Sequence, residues 1–140
     1  HKNRELYIDI KISYESDWMA LHLKSLQSAY RSSPYFEYFE DDFINLYSEK
    51  EMFLVDFNIK CINLISNLLD VNINYVKSES YNENYSGLID LRYLSVARKE
   101  KEYATPKYIQ VFESKYGYLP NLSILDVLFC EGNNSTSLIN

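Results

Sequence analysis

A turn followed by a short helix is encoded in the run Gly117-Tyr118-Leu119-Pro120-Asn121-Leu122-Ser123-Ile124-Leu125-Asp126-Val127-Leu128-Phe129-Cys130-Glu131-Gly132. Pro120 blocks an earlier helix start. Ser123 is a candidate N-cap residue, with Asp126 three residues later as its capping-box partner. Gly132 suits the left-handed position that follows the last helical turn. Because this helix is apolar on nearly every side, it has no water-facing stripe, and we expect the other elements to pack around it.

The composition is that of a globular domain with many aromatic residues. The chain has 140 residues, of which 46% are hydrophobic and 24% are charged, and this length predicts a single domain over residues 1–140. Its 14 Tyr and 7 Phe stand against 3 Gly and 3 Pro. Tyrosine can pack its ring and still present a hydroxyl, so this content favours a thick core with amphipathic walls. A codon bias toward Asn, Ile, Lys and Tyr is the alternative explanation.

The charge and the apolar runs argue against several classes of protein. A net charge of −6 and a pI near 4.9 argue against binding to duplex nucleic acid, which needs a basic face. No apolar run approaches the ~20 residues of a membrane span, so we expect a cytoplasmic protein. Cys61 and Cys130 both fall in apolar helical patterns and are expected to be core thiols, with a disulfide between them as the alternative.

Two stretches show the alternation of a β-strand. Leu6, Ile8, Ile10 and Ile12 alternate with more polar residues, which predicts a strand over residues 6–12. Residues 71–76 alternate in the same way and predict a second strand. Residues 108–112 are compatible with a further short strand or with a helix.

Helical spacing covers most of the rest of the chain. It predicts helices over residues 18–31 and 35–47, and a longer one from a Ser48–Glu51 capping box to about Leu69. Asn58 lies opposite the polar stripe of the long helix and is expected to point inward. The predicted fold class is therefore α+β: a predominantly helical single domain with a small sheet that includes residues 6–12 and 71–76.

The sequence contains the motifs Trp18-x3-His22, Leu26, Tyr30, Ser33-Pro34-Tyr35-Phe36, Phe57-Asn58 and Asp90-Leu91-Arg92, besides the run from Gly117 to Gly132. These motifs resemble those of the WbqC-like family, bacterial proteins often encoded among genes for O-antigen and other surface polysaccharides. The resemblance implies an enzyme of surface polysaccharide biosynthesis that acts on a nucleotide sugar or amino sugar. A non-catalytic binding or scaffold protein of the same pathway is the alternative. The resemblance also implies that an N-terminal part of the family pattern, with a Gln-Pro turn and an Asp-Asp-rich segment, is missing before residue 1.

His22 is the main candidate for a catalytic residue, because histidine exchanges a proton near neutral pH more readily than other side chains. Trp18 precedes it by one helical turn and can cover a substrate pocket; a partly buried, hydrogen-bonded histidine is the alternative. Asp126 is the second catalytic candidate, and Asn121 is a substrate-binding candidate beside it. Helix capping explains these two residues equally well.

Asn58 and Arg92 complete the predicted substrate-binding set. The Asn58 amide can meet a sugar hydroxyl, with a role that only ties elements of the fold together as the alternative. The planar guanidinium of Arg92 can hold a phosphate or carboxylate. An ion pair with Asp90 that tethers a loop is the alternative for Arg92. The acidic residues of the second helix, Glu37, Glu40, Asp41 and Asp42, can be a metal site or simply a solvated face.

No motif identifies a cofactor, and His1 and His22 are the only histidines, so no two-histidine metal site is predicted. The sequence also sets a test between the two functions. An enzyme should gather His22, Arg92 and Asp126 or Asn121 around one concave site. A scaffold protein should scatter them and expose an apolar patch.

Overall fold

The computed structural model describes residues 6–78, 80–81, 86–95 and 106–139. Six α-helices are present in these ranges: α1 (Trp18–Tyr30), α2 (Phe36–Ser48), α3 (Leu54–Leu68), α4 (Glu113–Tyr116), α5 (Ile124–Glu131) and α6 (Ser135–Ile139). Short 3-10 helices lie at Tyr7–Asp9, Arg92–Ser95 and Gly132–Asn134. The described ranges contain no β-strand, so the predicted α+β class with a small sheet is wrong.

The first predicted strand, residues 6–12, is replaced by a 3-10 turn and a single bridge. After the turn, the Ile10 carbonyl accepts a hydrogen bond from the Leu54 N–H at 2.9 Å. The Ile12 N–H donates to the Met52 carbonyl at 3.0 Å. Lys11 and Phe53 form an isolated antiparallel bridge. The partner is the short connection between α2 and α3, which is too short for a ladder of several residue pairs.

The second predicted strand, residues 71–76, pairs with no other segment in the described part of the chain. Its side chains from Asn72 to Val76 are exposed, and Val76 is 96% exposed. Lys77 forms an ion pair with Asp56, in the first turn of α3, at 3.7 Å. Because residue 71 follows the end of α3, this segment runs back along roughly 20 Å of the helix. Residues 108–112 likewise form no strand.

The helices were predicted more accurately than the strands. The bounds of α1 and α2 match the expected ranges within one residue. However, α3 begins at Leu54, six residues after Ser48, the predicted N-cap. The Ser48 hydroxyl donates to the Asn45 carbonyl at 2.8 Å, so Ser48 ends α2 and does not cap α3.

The core forms where α2 meets α5. On α2, Phe36, Phe39 and Phe43 recur at helical spacing on the buried face. Leu128 and Phe129 of α5 are 0% exposed, which confirms the predicted central position of this helix. The ring of Phe129 lies 5.0 Å from that of Phe36 and 5.2 Å from that of Phe43, as centroid distances in edge contacts. Such pairs add to the stabilisation that apolar burial gives.

Both ends of α5 are fixed by local contacts. The Ser123 hydroxyl accepts a hydrogen bond from the Leu125 N–H, so the predicted N-cap is confirmed. At the other end, Gly132 has a φ of 56° and follows the last turn, as expected. The Tyr35 N–H donates to the Phe129 carbonyl at 3.0 Å. A Cβ atom at Gly132 would lie only 2.6 Å from Cδ1 of Tyr35, so a glycine is required here for two reasons.

Candidate functional site

Four side chains from three helices form an aromatic cluster around Trp18. Trp18 and His22 lie one turn apart on α1, and their rings meet edge to face at 5.1 Å. Phe57 of α3 approaches Trp18 at 5.4 Å. Tyr47 of α2 approaches Trp18 at 6.4 Å and His22 at 6.0 Å. The structure therefore brings together Trp18 and His22, two of the predicted site residues, and adds two partners from distant positions. We call these four residues the aromatic cluster.

The orientation of Trp18 is fixed by hydrogen bonds and stacking. Its indole Nε1–H donates to the Ser13 carbonyl at 3.0 Å. Tyr14 stacks on the indole at 5.9 Å, and its hydroxyl donates to the Glu51 carbonyl at 2.8 Å. His22 itself is exposed. The arrangement is a fixed aromatic cluster with an exposed imidazole at its edge, and this imidazole can exchange a proton with a ligand.

Tyr47 contributes the one hydroxyl group of the aromatic cluster. Burial raises its pKa, and the neighbouring Cys61 raises it further. The hydroxyl therefore stays protonated at neutral pH and can donate or accept a hydrogen bond.

Asp126 occupies a separate, enclosed position. It is 3% exposed, and its Oδ2 accepts a hydrogen bond from the Tyr108 hydroxyl at 2.8 Å. Burial, and next the carboxylate of Asp126, raise the pKa of Tyr30. The same two causes raise the pKa of Tyr108, so both phenols stay neutral. Asp126 thus serves this phenol contact and not the predicted capping box.

Asp126 also acts on the adjacent thiol. Burial, and then the Asp126 charge, raise the pKa of Cys130 to about 11, so this cysteine remains a thiol. Cys61 and Cys130 are both free, and no disulfide joins them. Tyr30, which lies beside Asp126, follows His22 by eight residues on α1, or about 12 Å along the helix axis. The two predicted catalytic residues therefore belong to different parts of the molecule.

Two amide side chains connect segments of the chain. Asn58 is half-buried, less enclosed than expected, and donates a hydrogen bond to the Tyr7 hydroxyl. It thereby attaches the N-terminal 3-10 turn to α3. Gln110 is buried; its Nε2 donates to the Leu119 carbonyl at 2.8 Å, and its Oε1 accepts from the Leu119 N–H at 2.9 Å. This pair of hydrogen bonds holds together the two ends of the segment that contains α4.

Arg92 is exposed and is engaged by Asp90. Its Nε donates to Oδ1 of Asp90 at 2.9 Å, and a second guanidinium nitrogen donates to Oδ2 at 2.7 Å. The ring of Tyr81 lies 5.1 Å from the guanidinium. Hydrogen bonds from Arg92 lower the pKa of Asp90 to about 2. The planar fork that a phosphate would need is therefore occupied by a carboxylate, as in the ion-pair alternative.

Asn121 has a left-handed backbone, with a φ of 56°, and lines a pocket of about 200 Å³. Tyr108, the partner of Asp126, lines the same pocket. Tyr108 thus lines a pocket with Asn121 and also hydrogen-bonds Asp126. His22, Trp18 and Arg92 are not part of this pocket.

On the acidic face of α2, one carboxylate is engaged by neighbouring side chains. Glu40 pairs with Arg31 at 2.8 Å and accepts a hydrogen bond from Gln27. Among the residues that the structure describes, no three His, Cys, Asp or Glu side chains come together in a way that can hold a metal ion. None of the helices in this part of the chain is both long and apolar enough to cross a bilayer.

A family model described as the WbqC-like protein family matches residues 1–101. This chain belongs to the WbqC-like family. The match confirms the resemblance and includes Trp18, His22, Asn58 and Arg92, but the run from Gly117 to Gly132, with Asn121 and Asp126, lies beyond it. No curated protein and no solved structure matches the chain.

Three tyrosines of the WbqC-like chain that shape these sites were not predicted, and Phe57 was noted only as part of the Phe57-Asn58 motif. Trp18 with His22, and the run with Asp126, were found through local spacing. Tyr14, Tyr47, Phe57 and Tyr108 reach them from other segments, and only the tertiary structure brings them close. The one signal in the sequence was the high tyrosine content, which does not identify positions.

Proposed function

We propose that this WbqC-like protein acts in bacterial surface polysaccharide biosynthesis and binds a sugar or nucleotide sugar at the aromatic cluster. The observation that supports this site is the fixed Trp18 indole with the exposed His22 imidazole at its edge. The C–H faces of a sugar ring pack on aromatic surfaces as other apolar groups do, while its hydroxyls need polar partners nearby. Tyr47 and His22 supply such partners.

In the catalytic form of this proposal, His22 transfers the proton and Trp18 positions the sugar. Histidine suits this role because it changes charge near neutral pH. Asp126 is too enclosed to meet a substrate without a structural change, so its catalytic role stays a prediction. Binding of the ligand by Asn58, Arg92 and Asn121 also stays a prediction, because these residues lie outside the aromatic cluster.

A non-catalytic binding or scaffold protein of the same pathway is the second candidate. Two observations favour it: the predicted site residues are distributed over separate places, and an apolar groove is open on the surface beside α3. The two candidates share a sugar ligand in the pathway but differ in whether His22 performs chemistry. Substitution of His22 therefore separates them: if it abolishes turnover and leaves ligand binding intact, the protein is an enzyme that uses His22.

Trp18 is the only tryptophan of the chain, so its fluorescence reports directly on the proposed site. We propose titration with nucleotide sugars and amino sugars, with excitation beyond the tyrosine band, together with thermal-shift measurements. A ligand that binds the native state at about 100 times its Kd stabilises the protein by about 2.7 kcal/mol. We expect a change of Trp18 emission with the ligands that raise the melting temperature.

His22→Ala tests the catalytic role, with Leu21→Ala as the matched control. Leu21 is an exposed neighbour on α1 that lies outside the aromatic cluster. In the enzyme, His22→Ala should retain ligand binding and reduce turnover about 100-fold or more, while Leu21→Ala changes neither. Equal turnover in both variants would refute the catalytic role of His22, whereas ligand binding without any turnover in the unsubstituted protein would assign the chain to the scaffold class. Absence of any ligand-dependent change in emission or melting temperature over the panel would refute a sugar site at the aromatic cluster.

A further inference from the structure

A left-handed turn at the end of α3 shapes the surface on that side of the molecule. The Asp70 N–H donates to the Asn67 carbonyl at 3.1 Å, and the Val71 N–H donates to the Ser66 carbonyl at 2.9 Å. Asp70 has a φ of 54°. These features define a Schellman motif, which reverses the chain at a helix C-terminus. As a result, the segment after α3 turns back along the helix, and a trough forms between them.

The apolar part of this trough has a volume of about 430 Å³. Cys61, Ile65 and Leu69 recur every four residues and form its α3 wall. Ile73 lines the returning segment, and Ile124 and Ile139 close the third side. We call this the apolar groove. It shares no lining residue with the aromatic cluster and is therefore a second site.

A polar pocket of about 530 Å³ continues the apolar groove. The two share Ser66, Val71 and Ile73 as lining residues, so they form one trough. The other walls of the polar pocket carry the amides of Asn63, Asn67 and Asn72 and the carboxylate of Asp70. We call this the amide pocket.

The chemistry of the two halves selects the ligand. The aliphatic half removes a hydrocarbon chain from water, which favours binding. Asparagine amides both donate and accept hydrogen bonds, as hydroxyl groups require. No Lys or Arg is among the residues that line either half, and Asp70 repels a negative head group. Both volumes lie in the range of about 300–1,000 Å³ that small-molecule sites have.

We propose that this trough binds an amphiphile with a hydrocarbon chain in the apolar groove and an uncharged, hydroxyl-rich head group in the amide pocket. Glycolipids and alkyl glycosides have this chemistry. Lipids with a phosphate head group at the same position do not fit, because the amide pocket holds an acidic side chain and no cation.

Cys61 provides a direct test, because it lines the apolar groove and is half-buried, whereas Cys130 is 7% exposed and lies in the core. The native protein is labelled with a maleimide, and the two thiols are distinguished by peptide mass spectrometry. The probe is octyl glucoside below its critical micelle concentration. At about ten times its Kd, octyl glucoside should reduce the labelling rate of Cys61 about tenfold. The labelling rate of Cys130 should be low with and without octyl glucoside.

Two comparison molecules separate the two halves of the trough. Methyl glucoside has the head without the chain, and octyl phosphate has the chain with an anionic head. We expect no protection of Cys61 by methyl glucoside, and at least about tenfold weaker protection by octyl phosphate. Equal protection by octyl glucoside and octyl phosphate, or none by octyl glucoside, would overturn the proposal. Faster labelling of Cys130 in octyl glucoside would also overturn it, because a ligand of the native state protects the core.

A pair of substitutions verifies the location of the ligand. Ile62 also lines the apolar groove and is 47% exposed, whereas Ile44 lies on α2 outside the groove and is 39% exposed. Ile62→Asn should weaken protection by octyl glucoside about tenfold, and Ile44→Asn should leave it unchanged, with both folds checked by circular dichroism. Equal effects of the two substitutions would refute the site.

Two other results would show that something else occupies the apolar groove. Slow labelling of Cys61 in the absence of any amphiphile would mean that a segment of the chain itself covers the groove. Labelling that slows as protein concentration rises would assign it to a second copy. Both results would overturn the proposal.

Discussion

At the scale of single residues, Asp126 shows how the core accommodates a carboxylate. Its hydrogen bond with Tyr108 lies next to the most enclosed side chains of α5. Asp126→Ala leaves the Tyr108 hydroxyl without this partner and opens a small void. We expect it to lower the free energy of unfolding by about 1–3 kcal/mol. Asp41→Ala, at an exposed position on α2, should change it by less than about 0.5 kcal/mol. Urea unfolding measures both, and equal midpoints would contradict the structural role of Asp126.

Asp90 and Arg92 give a pH dependence with a defined sign. Hydrogen bonds from Arg92 lower the pKa of Asp90 from 3.8 to about 2, so in the folded chain the carboxylate stays charged at lower pH than in the unfolded chain. The stabilisation by this pair is therefore present above the ordinary aspartate range and is lost as the pH falls toward 2. In an NMR titration, Arg92→Gln should return the Asp90 pKa toward its ordinary value. An unchanged pKa in this variant would show that Arg92 is not the cause.

At the scale of elements, the contact between the C-terminus of α5 and the start of α2 depends on Gly132. An alanine at this position has both a strained φ and a Cβ atom that clashes with the Tyr35 ring. Gly117 has a φ of 73°, but a Cβ there meets nothing within 4 Å. We expect Gly117→Ala to cost about 1–3 kcal/mol for backbone strain alone. Gly132→Ala should cost more, by about 1–3 kcal/mol of overpacking. Thermal unfolding compares them, and equal losses would show that Tyr35 moves aside freely.

The elements also show what the sequence could and could not predict. The position of α5 was predictable because Ser123, Gly132 and the apolar residues between them act locally. The strand at residues 6–12 was not, since the alternation of Ile8, Ile10 and Ile12 is compatible with an extended backbone but does not supply a partner strand. Ser48 resembled a helix start, but its hydroxyl donates a hydrogen bond to the Asn45 carbonyl. Which of the two hydrogen bonds Ser48 forms depends on where α2 ends.

For the candidate site, only short-range relations were predictable. Trp18 and His22 are one turn apart, so helical spacing alone places their rings together. The approach of Phe57 and Tyr47 depends on how α2 and α3 pack on α1, and the sequence spacing contains no information on this. The enclosed position of Asp126 was expected from the apolar surroundings in its helix, but its partner Tyr108 comes from a segment 18 residues earlier.

At the scale of the whole molecule, the core extends beyond the range that the WbqC-like family model matches. That range ends at residue 101, whereas α5, with the fully buried Leu128 and Phe129, begins at residue 124. We expect a chain shortened to residues 1–101 to lose cooperative unfolding, because Phe36, Phe39 and Phe43 would face water. It should bind an apolar dye and lose near-ultraviolet circular dichroism while it retains helical far-ultraviolet signal. A sharp unfolding transition for the shortened chain would contradict the central position of α5.

The distance along the chain between Phe36 and Phe129 also matters during protein synthesis. A ribosome adds roughly 5–20 residues per second, so the phenylalanine face of α2 emerges several seconds before its partner on α5. In that interval the nascent polypeptide presents an unprotected apolar surface to the ribosome exit site and to chaperones. We therefore expect the nascent chain to keep this apolar face exposed until α5 has been synthesised.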